Sequence, residues 1–283
     1  MSLISMFQLL ICLLAGISCR LGKVASAKSF FANYARKKSS SLQSNVIVVL
    51  HNLYPENVPS VGALLEKYGV GIASVSLRHD GALESVKELT RFARDGATNI
   101  LVGASSILSD EQVLSARASG AQFISSTESW PELVSTSRHL DLPLLSGFAD
   151  SDSVVNAVRE FRLTEVKLFP AQSPEHVKGV CDELRESLPD DFSSLEIIVA
   201  GGITPRDFQA YLNAGATGFA CGVDCSPEKR ASLIKRLDEL AESPVLPRLS
   251  PFSPPRRASS DDPSNINVTD VHGNENASHH SGS

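Results

Sequence analysis

Short apolar runs alternate with amphipathic stretches along the middle of the chain. The runs cover 45–50, 71–77, 99–102, 122–125, 143–148, 165–169, 195–200 and 218–222, and Val, Ile and Leu dominate them. They are apolar at successive positions rather than at every second one. That predicts strands buried on both faces, as in a parallel sheet covered by helices. Between the runs lie helical patterns, such as 80–95 with Leu83, Val86, Leu89, Phe92 and Ala93 at helical spacing. Helix starts are predicted at Asp80, Ser109, Ser151, Ser173-Pro174, Thr204-Pro205 and Ser226-Pro227. There Ser, Thr or Asp caps the first turn and Pro has no N–H to lose. Gly69, Gly96, Gly120 and Gly215 mark predicted helix ends. Eight strand–helix units in one chain predict an α/β fold of the (β/α)8 TIM-barrel type. A doubly wound sheet is the alternative, but no GxGxxG turn follows the first strand.

The two ends do not follow this pattern, so three segments are expected: a leader at 1–41, a barrel at 42–247 and a tail at 248–283. No Asp or Glu occurs before Glu56, whereas Arg20, Lys23, Lys28, Arg36, Lys37 and Lys38 do. A basic, Ser-rich, acid-free leader has the composition of a transit peptide. The apolar run at 3–17 precedes it and is too short for a membrane span. It suits a signal-peptide core, with small residues at Ala15, Gly16 and Ser18 and again at Ala25-Ser26-Ala27. Together they resemble the bipartite leaders of proteins sent to complex plastids through the secretory route; a mitochondrial presequence is the alternative. No stable membrane span is expected in the mature form. The tail is rich in Ser, Pro, Asn and His and poor in branched apolar residues, so it is read as a solvated extension. Its Asn267-Val268-Thr269 and Asn276-Ala277-Ser278 are glycosylation sequons by pattern.

Overall the chain has 283 residues and a formal net charge of -6. That balance argues against a nucleic-acid partner bound through a basic surface. Five cysteines are too few and too unevenly spaced for a disulfide scaffold. Cys181, Cys221 and Cys225 show no CxxC or His pairing, so no metal site is expected.

In a barrel the chemistry sits at the C-terminal ends of the strands. The sixth run reads Glu165-Val166-Lys167-Leu168-Phe169-Pro170-Ala171. Alternation puts Lys167 and Phe169 on one face. Burial there lowers an amine's pKa and frees it to attack a carbonyl and form a Schiff base. A lysine paired with a carboxylate, or reaching solvent, is the structural alternative. The seventh run ends in Gly201-Gly202-Ile203-Thr204-Pro205, a turn whose backbone N–H groups suit an anion, and Gly222 in the eighth run lets the backbone come close. Arg78, after the second run, suits a two-pronged contact to a carboxylate or phosphate. Ser105, Ser106, Ser125, Ser126 and Thr127 offer hydroxyls.

These residues resemble a known family. The stretch 166–171 closely resembles the Schiff-base motif of the 2-keto-3-deoxy-6-phosphogluconate (KDPG) and 4-hydroxy-2-oxoglutarate (KHG) aldolases. Ser76-Leu77-Arg78, Val102-Gly103-Ala104, residues 120–124 and Gly201-Gly202-Ile203 follow in the same order. The resemblance covers the middle region and implies a barrel of class I aldolase type. It would be a lyase of carbohydrate metabolism, working without metal or organic cofactor, and a homotrimer. It implies that Lys167 forms the imine with pyruvate and that Arg78, Ser106 and Phe169 hold the substrate. Gly201, Gly202 and Gly222 would cradle the phosphate of a phosphorylated keto acid. At Ser74 the family carries its general acid/base glutamate, so that proton-transfer group is missing here. His51, His79 and Glu128, all expected near strand ends, are the candidate replacements. The other implied reading is a catalytically weak barrel that binds a phosphorylated ligand without turnover.

Overall fold

The computed structural model describes residues 46–245, apart from Ala97. The expected leader and tail lie outside the described residues. Eight parallel strands close into a barrel in sequence order: β1 (Val46–His51), β2 (Ile72–Ser76), β3 (Leu101–Ile107), β4 (Ile124–Ser126), β5 (Leu144–Phe148), β6 (Glu165–Leu168), β7 (Glu196–Ala200) and β8 (Gly218–Asp224). The helices between and after them are α1 (Val58–Lys67), α2 (Ala82–Asp95), α3 (Asp110–Ala118), α4 (Pro131–His139), α5 (Ser151–Phe161), α6 (Pro174–Ser187), α7 (Phe208–Asn213) and α8 (Arg230–Ala241).

The strand alternation explains the continuous apolar runs. Along β1, Val46, Val48 and Leu50 face the helices, whereas Ile47 and Val49 face the barrel axis. Ile47, Ile72, Leu101, Phe123, Leu145 and Ile198 form the inner cluster. Each large aliphatic side chain buried this way contributes about 1.5–3 kcal/mol relative to exposure. Both faces are therefore under hydrophobic selection, and only the inner face near the strand ends is free to be polar.

Four expectations are corrected. β3 does not stop at residue 102 but runs to Ile107, so Ser105 and Ser106 are strand residues rather than loop residues. Its small residues answer to packing: a Cβ at Gly103 would lie 2.4 Å from the Phe123 ring. The helix expected at Thr204 begins at Phe208, because Thr204 and Asp207 close a turn first, with Thr204 N donating to Asp207 Oδ2 at 3.0 Å. Asp150 rather than Ser151 caps α5, accepting from Ser153 N. α2 is preceded by Gly81 at φ 85° rather than capped by Asp80, and its end at Gly96 is right-handed at φ −76°. Ser109 and Ser173 do cap their helices, accepting from Gln112 N and His176 N.

Candidate active site

A cavity of about 190 Å³ opens at the C-terminal end of the barrel. Its floor is apolar, made by Ile47, Val49 and Leu145. Lys167 projects into it from β6 and is only 6% exposed. The Lys167 Nζ donates to Ser125 Oγ at 2.7 Å and lies 5.9 Å from the centre of the Phe169 ring. Among the described residues, no Asp or Glu lines the cavity. The lysine therefore takes neither expected structural alternative: it is not paired with a carboxylate, and it does not reach out to solvent. Burial lowers its pKa from an ordinary 10.5 to about 7, and the positive charge of Arg78 pushes the same way. At neutral pH roughly half of the population carries a free amine.

Gly147 of β5 sits directly between Lys167 and the β4 strand end. It is the register partner of Lys167, and a Cβ on it would lie 2.4 Å from the carbonyl oxygen of Thr127. Only a residue without a side chain lets the end of β4 approach this closely. Ser125, in the same short strand, meets a lysine two strands away.

The wall made by β2 and β3 is a set of hydroxyls. Ser74, Ser105 and Ser106 line the cavity. Ser106 stands at φ 63°, where the β3–β4 register shifts between Ser105 and Ile107. A non-glycine residue in this region is strained, and such strain clusters at functional sites. Its hydroxyl shares a hydrogen bond with Ser76 Oγ at 3.0 Å. The hydroxyls of Ser74 and Ser105 are buried without a partner among the described residues. Native buried polar groups are rarely left so, and these two are available to a ligand in the cavity.

Across the cavity, Gly201 and Gly202 turn at φ 108° and 74° after β7, conformations that favour glycine. Gly222 completes this side, and a Cβ there would lie 2.9 Å from His51 Nε2. Arg78 stands exposed at the rim, and among the described residues it makes no ion pair. It is not bound to Asp80 by a salt bridge and is available to an anion.

The structure thus gathers Lys167, Ser74, Arg78, Ser106, Phe169, Gly201, Gly202 and Gly222 around one cavity. It separates the three candidate replacements for the glutamate. His51, the last residue of β1, lines the cavity. Burial lowers its pKa, Arg78 lowers it further, and Asp224 opposes them. A neutral imidazole at physiological pH follows from that direction. His79 instead packs 4.5 Å from the Tyr54 ring with its Nδ1 2.7 Å from the Asp80 carbonyl, and Glu128 borders a different groove beside Trp130. The pairing of Lys167 with Ser125 was not legible, because no local signal links two residues 42 positions apart.

The comparisons with known proteins agree with this geometry. The family model for KDPG and KHG aldolase matches residues 39–238. The 2-dehydro-3-deoxy-phosphogluconate aldolase of Haemophilus influenzae is 26% identical over 204 residues, covering 72% of this chain and 90% of its own. The fold is shared with the 2-keto-3-deoxy-6-phosphogluconate aldolase of Zymomonas mobilis solved with 3-phosphoglycerate. The TM-score is 0.57 at 22% identity, covering 79% of this chain and 96% of that one. It is also shared with the KDPG aldolase of Legionella pneumophila with pyruvate captured as a covalent carbinolamine. There the TM-score is 0.54 at 21% identity, with 73% and 94% covered. With a family match over most of its length and this barrel beneath it, the chain belongs to the KDPG and KHG aldolase family.

Proposed function

We propose that the protein is a class I aldolase that cleaves a 2-keto-3-deoxy-6-phosphogluconate-type or 4-hydroxy-2-oxoglutarate-type substrate to pyruvate and an aldehyde. The observation that carries this is Lys167: buried at the barrel mouth, paired with a neutral hydroxyl, and held near pKa 7 by burial. The neutral amine attacks the C2 carbonyl, and the carbinolamine loses water to give an imine. The imine draws electrons from the C3–C4 bond as the C4 hydroxyl loses its proton and the aldehyde departs. His51 is the group placed to accept that proton, since it lines the cavity and its pKa is lowered. The enamine is then protonated at C3, and water releases pyruvate and the free lysine. Arg78 at the rim meets the substrate carboxylate, Ser106 a substrate hydroxyl, and the Gly201–Gly202 turn with Gly222 the distal anion. Pyruvate captured as a covalent carbinolamine in the Legionella neighbour supports the imine-forming reading.

The test is borohydride reduction in the presence of pyruvate, followed by mass mapping. A stable adduct on Lys167 is expected, and none on a Lys167→Met variant. Folded protein that yields no adduct refutes the imine chemistry. One observation favours a second reading, a barrel that binds a phosphorylated ligand and turns it over poorly. Ser74 holds no carboxylate where the family places its acid/base group.

For the assembly we propose a homotrimer, supported by the family assignment and by exposed Leu108 and Leu114; light scattering coupled to gel filtration reads the mass directly. For the leader we propose delivery to a plastid through the secretory route, on the acid-free basic composition ahead of Glu56. A fluorescent fusion of residues 1–55 separates that destination from the mitochondrion.

A further inference from the structure

Ser125 belongs to a three-residue strand and lies at the barrel interior, 5% exposed. Its hydroxyl is the hydrogen-bond partner of the Lys167 amine, at 2.7 Å. The register shows how far the lysine reaches. Lys167 pairs with Gly147 on β5, and Ser125 pairs with Leu145 on the far side of that strand. The contact spans β5 at the level where Gly147, without a side chain, admits the backbone of Ser126 and Thr127.

The partner's chemistry matters. A carboxylate in this place would hold the lysine as an ammonium and remove its lone pair. An apolar residue would leave the amine with no acceptor and no fixed direction. A hydroxyl oxygen accepts one N–H without adding charge, so the amine keeps a defined orientation and can still lose its proton. After a carbonyl compound condenses with the lysine, the iminium retains a single N–H, and the same oxygen is in place to accept it.

We propose that Ser125 is a positioning residue for Lys167: its Oγ accepts a hydrogen from Nζ, aims the amine lone pair into the cavity, and then holds the N–H of the iminium. This rests on the reading of Lys167 as the imine-forming residue. Ser125 acts through Lys167, so its removal is expected to affect kcat more than KM. A hydrogen bond to a charged nitrogen corresponds to roughly 10–100-fold in rate. Its loss also disfavours the charged amine, so the pH at which Lys167 gives up its proton moves down in Ser125→Ala. In Ser125→Asp a carboxylate moves that pH up. A purely structural role for Ser125 moves neither midpoint in this opposed way.

Two measurements separate this proposal from the functional reading beneath it. The first is the rate at which an amine-reactive reagent labels Lys167 across pH, read by mass mapping; it needs no substrate. The expected labelling midpoint falls by about one unit in Ser125→Ala and stays near wild type in Ser125→Thr. The second is the rate of the pyruvate adduct formed under borohydride, expected to fall 10–100-fold in Ser125→Ala with thermal unfolding unchanged. If Ser125→Ala does not fold, Ser125→Cys, a weak acceptor of similar size, carries the same expectation. Adduct formation in the wild type with an unmoved labelling midpoint in the variant overturns the proposal and leaves the aldolase reading standing. A moved midpoint with no adduct in the wild type overturns the aldolase reading and leaves the hold of Ser125 on the amine.

Discussion

Replacing Lys167 by Met should make the protein more stable, and by an amount that depends on pH. Met keeps the length of the side chain and has no charge to bury. In the unfolded chain the amine titrates near its ordinary 10.5, and in the folded barrel near 7. Above the higher value the amine is neutral in both states, so burial carries no penalty. Below the lower value it is protonated in both, and the penalty is complete. Each unit of separation corresponds to about 1.4 kcal/mol, so the full penalty is about 5 kcal/mol as an upper figure. It amounts to about 4 kcal/mol at pH 7 and about 2 kcal/mol at pH 9, because the unfolded state binds the extra proton across that window. The substitution also strips Ser125 Oγ of its partner, which costs about 1 kcal/mol independently of pH. The pH dependence of the difference is therefore the clean signal. Urea unfolding of both proteins at pH 7 and pH 9 should show the advantage of Lys167→Met shrinking by about 2 kcal/mol. That corresponds to a midpoint shift of about 1 M for a slope near 2 kcal/mol per M. A difference that stays constant within about 0.5 kcal/mol from pH 6 to pH 9.5 refutes the depressed amine and the argument built on it.

Three other substitutions test the cavity from different sides. Ser74→Glu should raise aldol cleavage by less than about 10-fold if His51 moves the proton, whereas a gain of about 10²–10⁴-fold in kcat supports the weakened-barrel reading. Gly222→Val places a Cβ where His51 Nε2 now stands, 2.9 Å away. The imidazole end can swing aside, so kcat should fall at least about 10-fold while the thermal midpoint moves little. Gly147→Ala puts a methyl 2.4 Å from the Thr127 carbonyl oxygen and 2.5 Å from that of Ser126. Backbone must move there, so a loss of about 1–3 kcal/mol in urea unfolding is expected, together with a slower pyruvate adduct.

The parts of this molecule that were legible in the sequence are those written locally. Strand runs apolar on both faces indicated the barrel, and Lys167 stood out because a charged residue interrupts such a run. The third strand was under-read because Gly103, Ala104 and Ser105 carry little hydrophobic signal. The absence of a side chain at Gly103 answers to the Phe123 ring just before β4, a constraint visible only in three dimensions. The helix after β7 was placed too early for a related reason. Thr204 has the chemistry of a cap, but it uses Asp207 to close a turn before the helix starts. Among the candidate bases, chain position could not rank His51, His79 and Glu128, since each lies near the C-terminal end of a strand. Side-chain direction decided between them: His51 meets the cavity under Gly222, whereas His79 packs against Tyr54.

The serine at position 74 and the hydroxyl partner of the lysine are two aspects of one electrostatic arrangement. Among the described residues, the cavity holds Arg78, Lys167 and His51 and no carboxylate. Arg78 depresses the lysine and the histidine together, and burial acts on both in the same direction. Such a site favours the uncharged forms of its own bases and anionic groups on its ligand. A carboxylate introduced at Ser74 would offer a proton acceptor, but it would also favour the ammonium form of Lys167 and reduce the nucleophile at neutral pH. Gain and loss therefore arise from the same charge. Ser74→Glu should shift the rising limb of the pH–rate profile upward even where its maximum rate barely changes. A limb that stays in place would mean that position 74 is electrically remote from Lys167 and that the serine is merely a vacated position. A limb that moves would show that position 74 is electrically coupled to Lys167, whose low pKa is set by burial and by Arg78.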